Sequence, residues 1–343
     1  MKFFLSCNKC NFRSDNNFNI LYCPNCKESA LLKTNYYKNL NVEATNNDFY
    51  SFIEWLPFEK KHFSGNICIN CFKSQRLNQF LGLKDLWILF SGYSKRYGSS
   101  LYTCTFKETE AIGVLSRIIE GTDKTLIISS AGNAAKAFLE YGIQIQKKIV
   151  VIIPENALKD IKVISKPKRV APLLICIKDS AYMDAIRLVN KMIERFPYDL
   201  VREGGCYNVA RRDSMAVPFL RSAIKMNSIP NRYIQAVGSG TGALAAWEAS
   251  KRLISIPSIE KRSMKLHLIQ NFPFQPIVDA WNSNSKSIRK IKDSEVYKLL
   301  SNTKAKVLSN TNPPYSVSGG LYDALMESNG ETTAVNNQEI EEA

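Results

Sequence analysis

The 343-residue sequence predicts an α/β protein built on mostly parallel sheets, with helices on both faces, preceded by a small zinc-ribbon-like knuckle. Three observations carry this expectation. Continuous apolar runs alternate with amphipathic segments over most of the chain, small-residue turns join a run to the next segment at two places, and two C-x-x-C pairs lie near the start.

Six of the nine cysteines form three C-x-x-C pairs. "CNKC" (Cys7, Cys10) and "CPNC" (Cys23, Cys26), separated by 12 residues, read as two knuckles around one tetrahedral zinc. Four thiolates would close the coordination sphere, which makes that metal structural; the alternative is two unrelated thiol pairs kept reduced. Cys68 and Cys71 have only His62 nearby, and coincidence is the better reading.

After the asparagine-rich residues 33–49, "KDLWILFSGY" is a strand candidate, and "FKETEAIGVLSRII" places Ala111, Ile112, Leu115, Ile118 and Ile119 on one helical face. The strand "TLIISS", the turn "AGN" and a helix ended by Gly142 follow. Next come "KKIVVIIP", "APLLICIK" and the helical "AYMDAIRLVNKMIERF". "RYIQAV", the turn "GSGTG", the helix "ALAAWEASKRLI" and the strand "LHLIQN" complete the alternation, and the polar residues 282–314 read as an excursion.

The apolar share of 45% and charged share of 22% are those of a globular protein, and no run approaches the roughly 20 apolar residues that span a bilayer. The opening "MKFFLSCNKC" is too short an apolar run for a secretory signal, so the cytoplasm is the expected location. The net charge of +15 is spread along the chain without aromatic interleaving; this disfavours nucleic acid and suits small anions.

Three stretches carry chemistry. In "TCTFKETEA", Thr105 and Glu108 have capping-box spacing, which puts Lys107 in the first turn of a helix, where the macrodipole favours a neutral amine. "SSAGN" offers Ser129, Ser130, Gly132 and Asn133 at a second helix N-terminus, able to hold a carboxylate. In "GSGTG", Gly238, Gly240 and Gly242 permit close backbone approach, Ser239 and Thr241 add hydroxyls, and the spacing suits a single phosphate better than a dinucleotide; a plain tight turn is the alternative. A lysine, a ring partner and a phosphate cup are together what pyridoxal phosphate needs.

The order "TFK", "SSAGN", "EGGCYNVARRD", "GSGTG", "QNFPFQP" resembles the fold-type II pyridoxal phosphate enzymes, the tryptophan synthase β-subunit and threonine synthase superfamily. More narrowly, "GLKDLWILFSGY", "GCYNVARRDSMAV", "QAVGSGTGALAAWEAS" and "PPYSVSGGLYDAL" resemble the cysteate synthases of coenzyme M biosynthesis, and the double knuckle extends the likeness over nearly the whole chain. The resemblance implies two doubly wound α/β domains with the cofactor in the cleft between them. Lys107 would carry the cofactor as a Schiff base and move protons, Asn133 would bond its 3-hydroxyl, and Gly238, Ser239, Gly240, Thr241 and Gly242 would hold its phosphate. Ser129, Ser130, Ala131, Gly132 and Ala134 would clasp the substrate carboxylate. Arg211 and Arg212 are candidates for the leaving phosphate or incoming sulfite, the alternative being a solvated helix start. The implied reaction replaces the phosphate of O-phospho-L-serine with sulfite to give L-cysteate, in a homodimer. Residues 1–33 would form the knuckle, 34–106 and 215–343 the large domain, and 107–214 the small one.

The chain departs from the family at Ser214 and Ala216, where glycines tend to follow "ARRD", and at Cys71. It ends in "NNQEIEEA", a helix start with Asn336 and Glu339 at capping-box spacing, where the family continues into a further helix and a strand with a glycine-rich turn. Two other readings follow: a threonine synthase or other β- or γ-replacement enzyme, and a binding protein on a decayed catalytic domain.

Overall fold

The computed structural model describes residues 2–15, 20–130, 132–145, 147–166, 170–180, 182–308 and 310–343. Near the start, Phe3–Cys7 (β1), Arg13–Asp15 (β2) and Leu32–Tyr36 (β3) form a sheet in the order β2-β1-β3. The alternation along β1 buries Phe3, Leu5 and Cys7 on one side, as a half-covered strand requires.

The chain then divides into two compact units, the first centred on residues 36–225 and the second on residues 226–343 together with 5–14 and 22–35. Residues 36–106 thus share a unit with residues 107–225, whereas the sequence reading groups 34–106 with 215–343.

The first unit opens with Asn70–Lys73 (β4), Gln75–Phe80 (α1), Trp87–Phe90 (β5), Tyr93–Ser94 (β6) and Ser99–Ser100 (β7). The predicted strand around residue 88 exists, but it pairs antiparallel with β4 rather than joining a parallel sheet. Beyond it run Lys107–Gly121 (α2), Thr125–Ser129 (β8), Asn133–Gly142 (α3), Ile149–Pro154 (β9), Leu173–Ile177 (β10), Tyr182–Arg195 (α4), Leu200–Arg202 (β11) and Val209–Met226 (α5). Four of these strands make one parallel sheet in the order β10-β9-β8-β11.

All of β9 is buried, which is why "IVVIIP" reads as a continuous apolar run. Ala185 and Val189 of α4 pack on Ile127, Val150 and Ile152 of the sheet. Gly142 does close α3, but by fit rather than by a left-handed turn: a Cβ there would lie 2.7 Å from both Ile149 Cδ1 and Pro172 Cγ. Residues 36–106 are tied to the rest of the unit through the end of α2, where the Glu120 carboxylate accepts the amides of Glu59 at 2.8 Å and Lys60 at 2.9 Å. Glu120 also meets His62 Nε2 at 2.7 Å, so that histidine has a structural partner away from any thiol.

The second unit carries Arg232–Ala236 (β12), Thr241–Leu253 (α6), Lys265–Asn271 (β13), Pro276–Asn282 (α7), Asp293–Ser301 (α8), Leu321–Glu327 (α9), Glu331–Val335 (β14) and Asn337–Glu342 (α10). Its parallel sheet runs β12-β13-β14. The expected capping box at Asn336 and Glu339 is formed in full at the head of α10. Among the described residues no helix is long and apolar enough to cross a membrane.

Candidate active site

Lys107 is the first residue of α2, as expected, but the predicted capping box is not what starts that helix. Thr105 Oγ1 accepts the Lys107 amide at 3.3 Å, while the Glu108 carboxylate turns inward. It accepts the Thr103 amide on Oε1 and the Tyr141 hydroxyl, at 2.7 Å, on Oε2. Burial pushes Glu108 above the ordinary carboxylate range, and these donors oppose that shift. The helix start therefore combines local bonds around Thr103 and Thr105 with a tertiary contact to α3, in place of a reciprocal box.

The Lys107 side chain is 21% exposed, and its Nζ lies 3.1 Å from Glu110 Oε2, one helical turn along the same face. Glu110 is fully buried. On the other side of Glu110 stands Arg211 of α5, whose Nη1 is 3.1 Å from Glu110 Oε1 and 3.0 Å from Glu203 Oε2. Tyr182, which heads α4, lies close enough to Arg211, Glu203 and Glu110 to feel their charges. Burial lowers the Lys107 amine from its ordinary value; Glu110 opposes this, Arg211 adds to it, and Glu203 opposes it. Glu203 is pushed up by burial, with Arg211 opposing and Glu110 adding.

The two arginines of "NVARRD" do not form a solvated helix start. Arg211 is engaged by two carboxylates, and Arg212 is 1% exposed with its Nη1 on the Cys206 carbonyl. Hydrophobic periodicity could not reveal Glu110, Glu203 or Tyr182. The signals present were the i,i+3 spacing of Glu110 from Lys107 and the glutamate that opens "EGGCYNVARRD".

At the second turn of the same unit, β8 ends at Ser129 and α3 begins at Asn133. Ser130 Oγ accepts the amides of Gly132 at 3.3 Å and Ala135 at 3.1 Å, so this hydroxyl shapes the turn itself. Asn133 and Ala134 are partly exposed at the helix start, and Ala131 lies outside the described residues.

In the second unit, "GSGTG" joins β12 to α6. Gly240 has φ +72°, and a Cβ on it would sit 2.5 Å from Leu321 Cδ1, so both backbone and space demand glycine. A Cβ on Gly238 would meet the Leu308 backbone at 3.1 Å. Ser239 Oγ and Thr241 Oγ1 lie 2.9 Å apart, ahead of the first amides of α6, which have no partner one turn back. Such a cradle fits a phosphate.

Also in the second unit, the ligand sulfurs of Cys7, Cys10, Cys23 and Cys26 all lie within 4.8 Å of one another. With Zn–S bonds of about 2.3 Å, tetrahedral geometry spaces sulfurs about 3.8 Å apart; Cys10 Sγ and Cys23 Sγ are 3.5 Å apart and the whole set lies within 4.8 Å, so small adjustments fit it to zinc. The Lys9 amide points to Cys7 Sγ at 3.3 Å and the Cys26 amide to Cys23 Sγ at 3.5 Å, donors that suit thiolates. Lys27, just past the second pair, takes φ +50°, which turns the chain around the knuckle. Cys68 and Cys71 belong to no metal-binding group among the described residues.

A scan against protein-family models finds no match. Among curated proteins, the cysteate synthase of Methanoregula boonei is 38% identical over 320 residues, covering 93% of this chain and 74% of that protein. The cysteate synthase of Methanosarcina acetivorans is 34% identical over 343 residues, covering 100% of this chain and 81% of its own length. Of solved structures, diaminopropionate ammonia lyase from Escherichia coli aligns with 98% of this chain and 78% of its own, at a TM-score of 0.55 and 13% identity. Maize serine racemase aligns with 80% and 73%, at a TM-score of 0.57 and 13% identity. These two likenesses show a shared fold. The sequence relatives show more, because identity at that level runs across almost the whole length: the chain belongs to the cysteate synthase family.

Proposed function

We propose that this protein is a pyridoxal phosphate-dependent cysteate synthase that replaces the phosphate of O-phospho-L-serine with sulfite. The observation that carries the reading is the placement of Lys107: a partly exposed amine at a helix start, held below its ordinary basicity by burial, in a chain 34% identical over its whole length to a cysteate synthase. When bound, pyridoxal phosphate supplies the electron sink that makes the α-carbon acidic.

The chain's own residues supply the rest. Lys107 would hold the cofactor covalently and, when released, take the α-proton on Nζ and later return it. Asn133 is proposed as the partner of the ring hydroxyl, and the amides and hydroxyls of residues 238–242 as the phosphate cradle. The turn of Ser129, Ser130, Ala131, Gly132 and Ala134 would take the substrate carboxylate. Arg211 supplies positive charge for the oxyanions, moderated by its two carboxylate partners. In the net exchange the Cβ–O bond breaks, phosphate leaves with the pair, and the sulfur lone pair of sulfite forms the Cβ–S bond. Cys7, Cys10, Cys23 and Cys26 would hold a structural zinc, and a homodimer is the proposed assembly.

The deciding assay is phosphate release from O-phosphoserine and from O-phosphohomoserine, each with and without sulfite. Release from O-phosphoserine that requires sulfite and yields cysteate is expected. Turnover of O-phosphohomoserine to threonine instead would make the protein a threonine synthase.

A further inference from the structure

Both Glu110 oxygens are buried, and neither makes a hydrogen bond of good geometry among the described residues. The carboxylate nevertheless sits 3.1 Å from Lys107 Nζ on one oxygen and 3.1 Å from Arg211 Nη1 on the other. A fully buried carboxylate without hydrogen bonds is costly unless charge compensates it. Among the described residues its near compensators are these two cations, and Arg211 is shared with Glu203 at 3.0 Å.

Two carboxylates and one guanidinium leave one negative charge, which is balanced when Lys107 carries a proton and unbalanced when it does not. We infer that Glu110 is a positioning residue that holds Lys107 Nζ in place and stabilises its protonated state, with Arg211 as the counter-charge that limits this effect. The proton moves between the substrate α-carbon and Nζ, and Glu110 keeps the ammonium so formed in the site instead of accepting the proton itself.

The other groups facing Lys107 fit this role. The Phe106 ring centroid lies 5.0 Å from Nζ and offers a weak cation site on the same element. Burial and Arg211 favour the neutral amine, while Glu110 and Glu203 favour the ammonium; Tyr182 also faces Arg211, Glu203 and Glu110. The lysine is therefore poised between two states, as a group that must be a nucleophile at one moment and a base at another requires.

The inference rests on Lys107 being the cofactor lysine, so the test separates the two claims. The full-length protein is stripped of cofactor, and the rate at which added pyridoxal phosphate becomes attached at Lys107 is followed across pH by visible absorbance and by borohydride trapping with peptide mapping. Glu110→Gln is expected to move the midpoint of that pH–rate curve down by about 1 pH unit, and Arg211→Gln to move it up, since an opposite charge within about 4 Å shifts a group by about 1 to 3 units. Glu110→Asp keeps the charge and should hold the midpoint nearer the parent's. Should Glu110→Gln fail to fold, the upward shift in Arg211→Gln alone decides. Midpoints that stay where the parent's is, or that both move the same way, would overturn the inference while leaving the cofactor lysine intact. No attachment at Lys107 in the parent would overturn the functional reading and this inference with it.

Discussion

Replacing Gly113 by alanine tests how α2, which carries Lys107 and Glu110, is seated on α5, which carries Arg211. A Cβ at position 113 would lie 1.7 Å from Ser214 Oγ, 2.5 Å from Ser214 Cβ and 2.9 Å from the Ala210 carbonyl oxygen. Ordinary carbon contacts need about 3.5 Å or more, so the helices must separate locally by about 1 Å. Overpacking of this kind costs about 1 to 3 kcal/mol, and the carbonyl cannot swing away as a side-chain end can. Because a backbone oxygen is one of the clashing atoms, the cost falls at the upper end, about 3 kcal/mol; alanine regains about 1 kcal/mol of helix propensity, leaving a net loss of about 2 kcal/mol.

Ser214 is itself fully buried, its hydroxyl without a hydrogen-bond partner among the described residues. Ser214→Gly should therefore relieve the two closest clashes but not the one with Ala210. A double-mutant cycle read from urea midpoints should show a favourable coupling of about 1 kcal/mol. Cofactor attachment should weaken in Gly113→Ala and partly recover in the double variant. If Gly113→Ala were as stable as the parent, or if the two substitutions were additive, the close seating of α2 on α5 would be refuted.

Lys107→Ala should abolish the visible absorbance band of the loaded protein, and persistence of the band would remove Lys107 from its role. Metal analysis should find one zinc per chain, lost in Cys23→Ser, with a fall in thermal midpoint of the parent on strong chelation; a zinc-free parent of unchanged stability would refute the knuckle reading. Glu331 is held below the ordinary carboxylate range by hydrogen bonds from Lys265 and Arg232. Its stabilising contribution is present above the unfolded-state value and is lost as pH falls through the lower folded-state value, so Glu331→Gln should flatten the acid side of the stability curve; an unchanged acid limb would count against it.

The strands legible in the sequence were those with an apolar run, whether buried throughout like β9 or partly exposed like β10 and β12. Those not legible, β11 with three residues and the half-exposed "ETTAV" of β14, carry too few apolar residues to show a period. Pairing decided the fate of "WILF", since the same apolar run serves an antiparallel hairpin as well as a parallel sheet. Within the polar residues 282–314, the helix α8 also escaped a reading based on composition.

Residue type alone marks a lysine at a helix start, a glycine where φ is positive and paired cysteines, because reactive groups and tight turns need particular side chains. How those groups are tuned depends on the folded chain. Glu110 and Glu203 lie 93 residues apart in the chain and meet on one guanidinium; Glu108 starts its helix through Tyr141, a residue of the next helix. Charge balance in a buried site depends on distance in space and on exclusion of water, and neither is written in the order of residues along the chain.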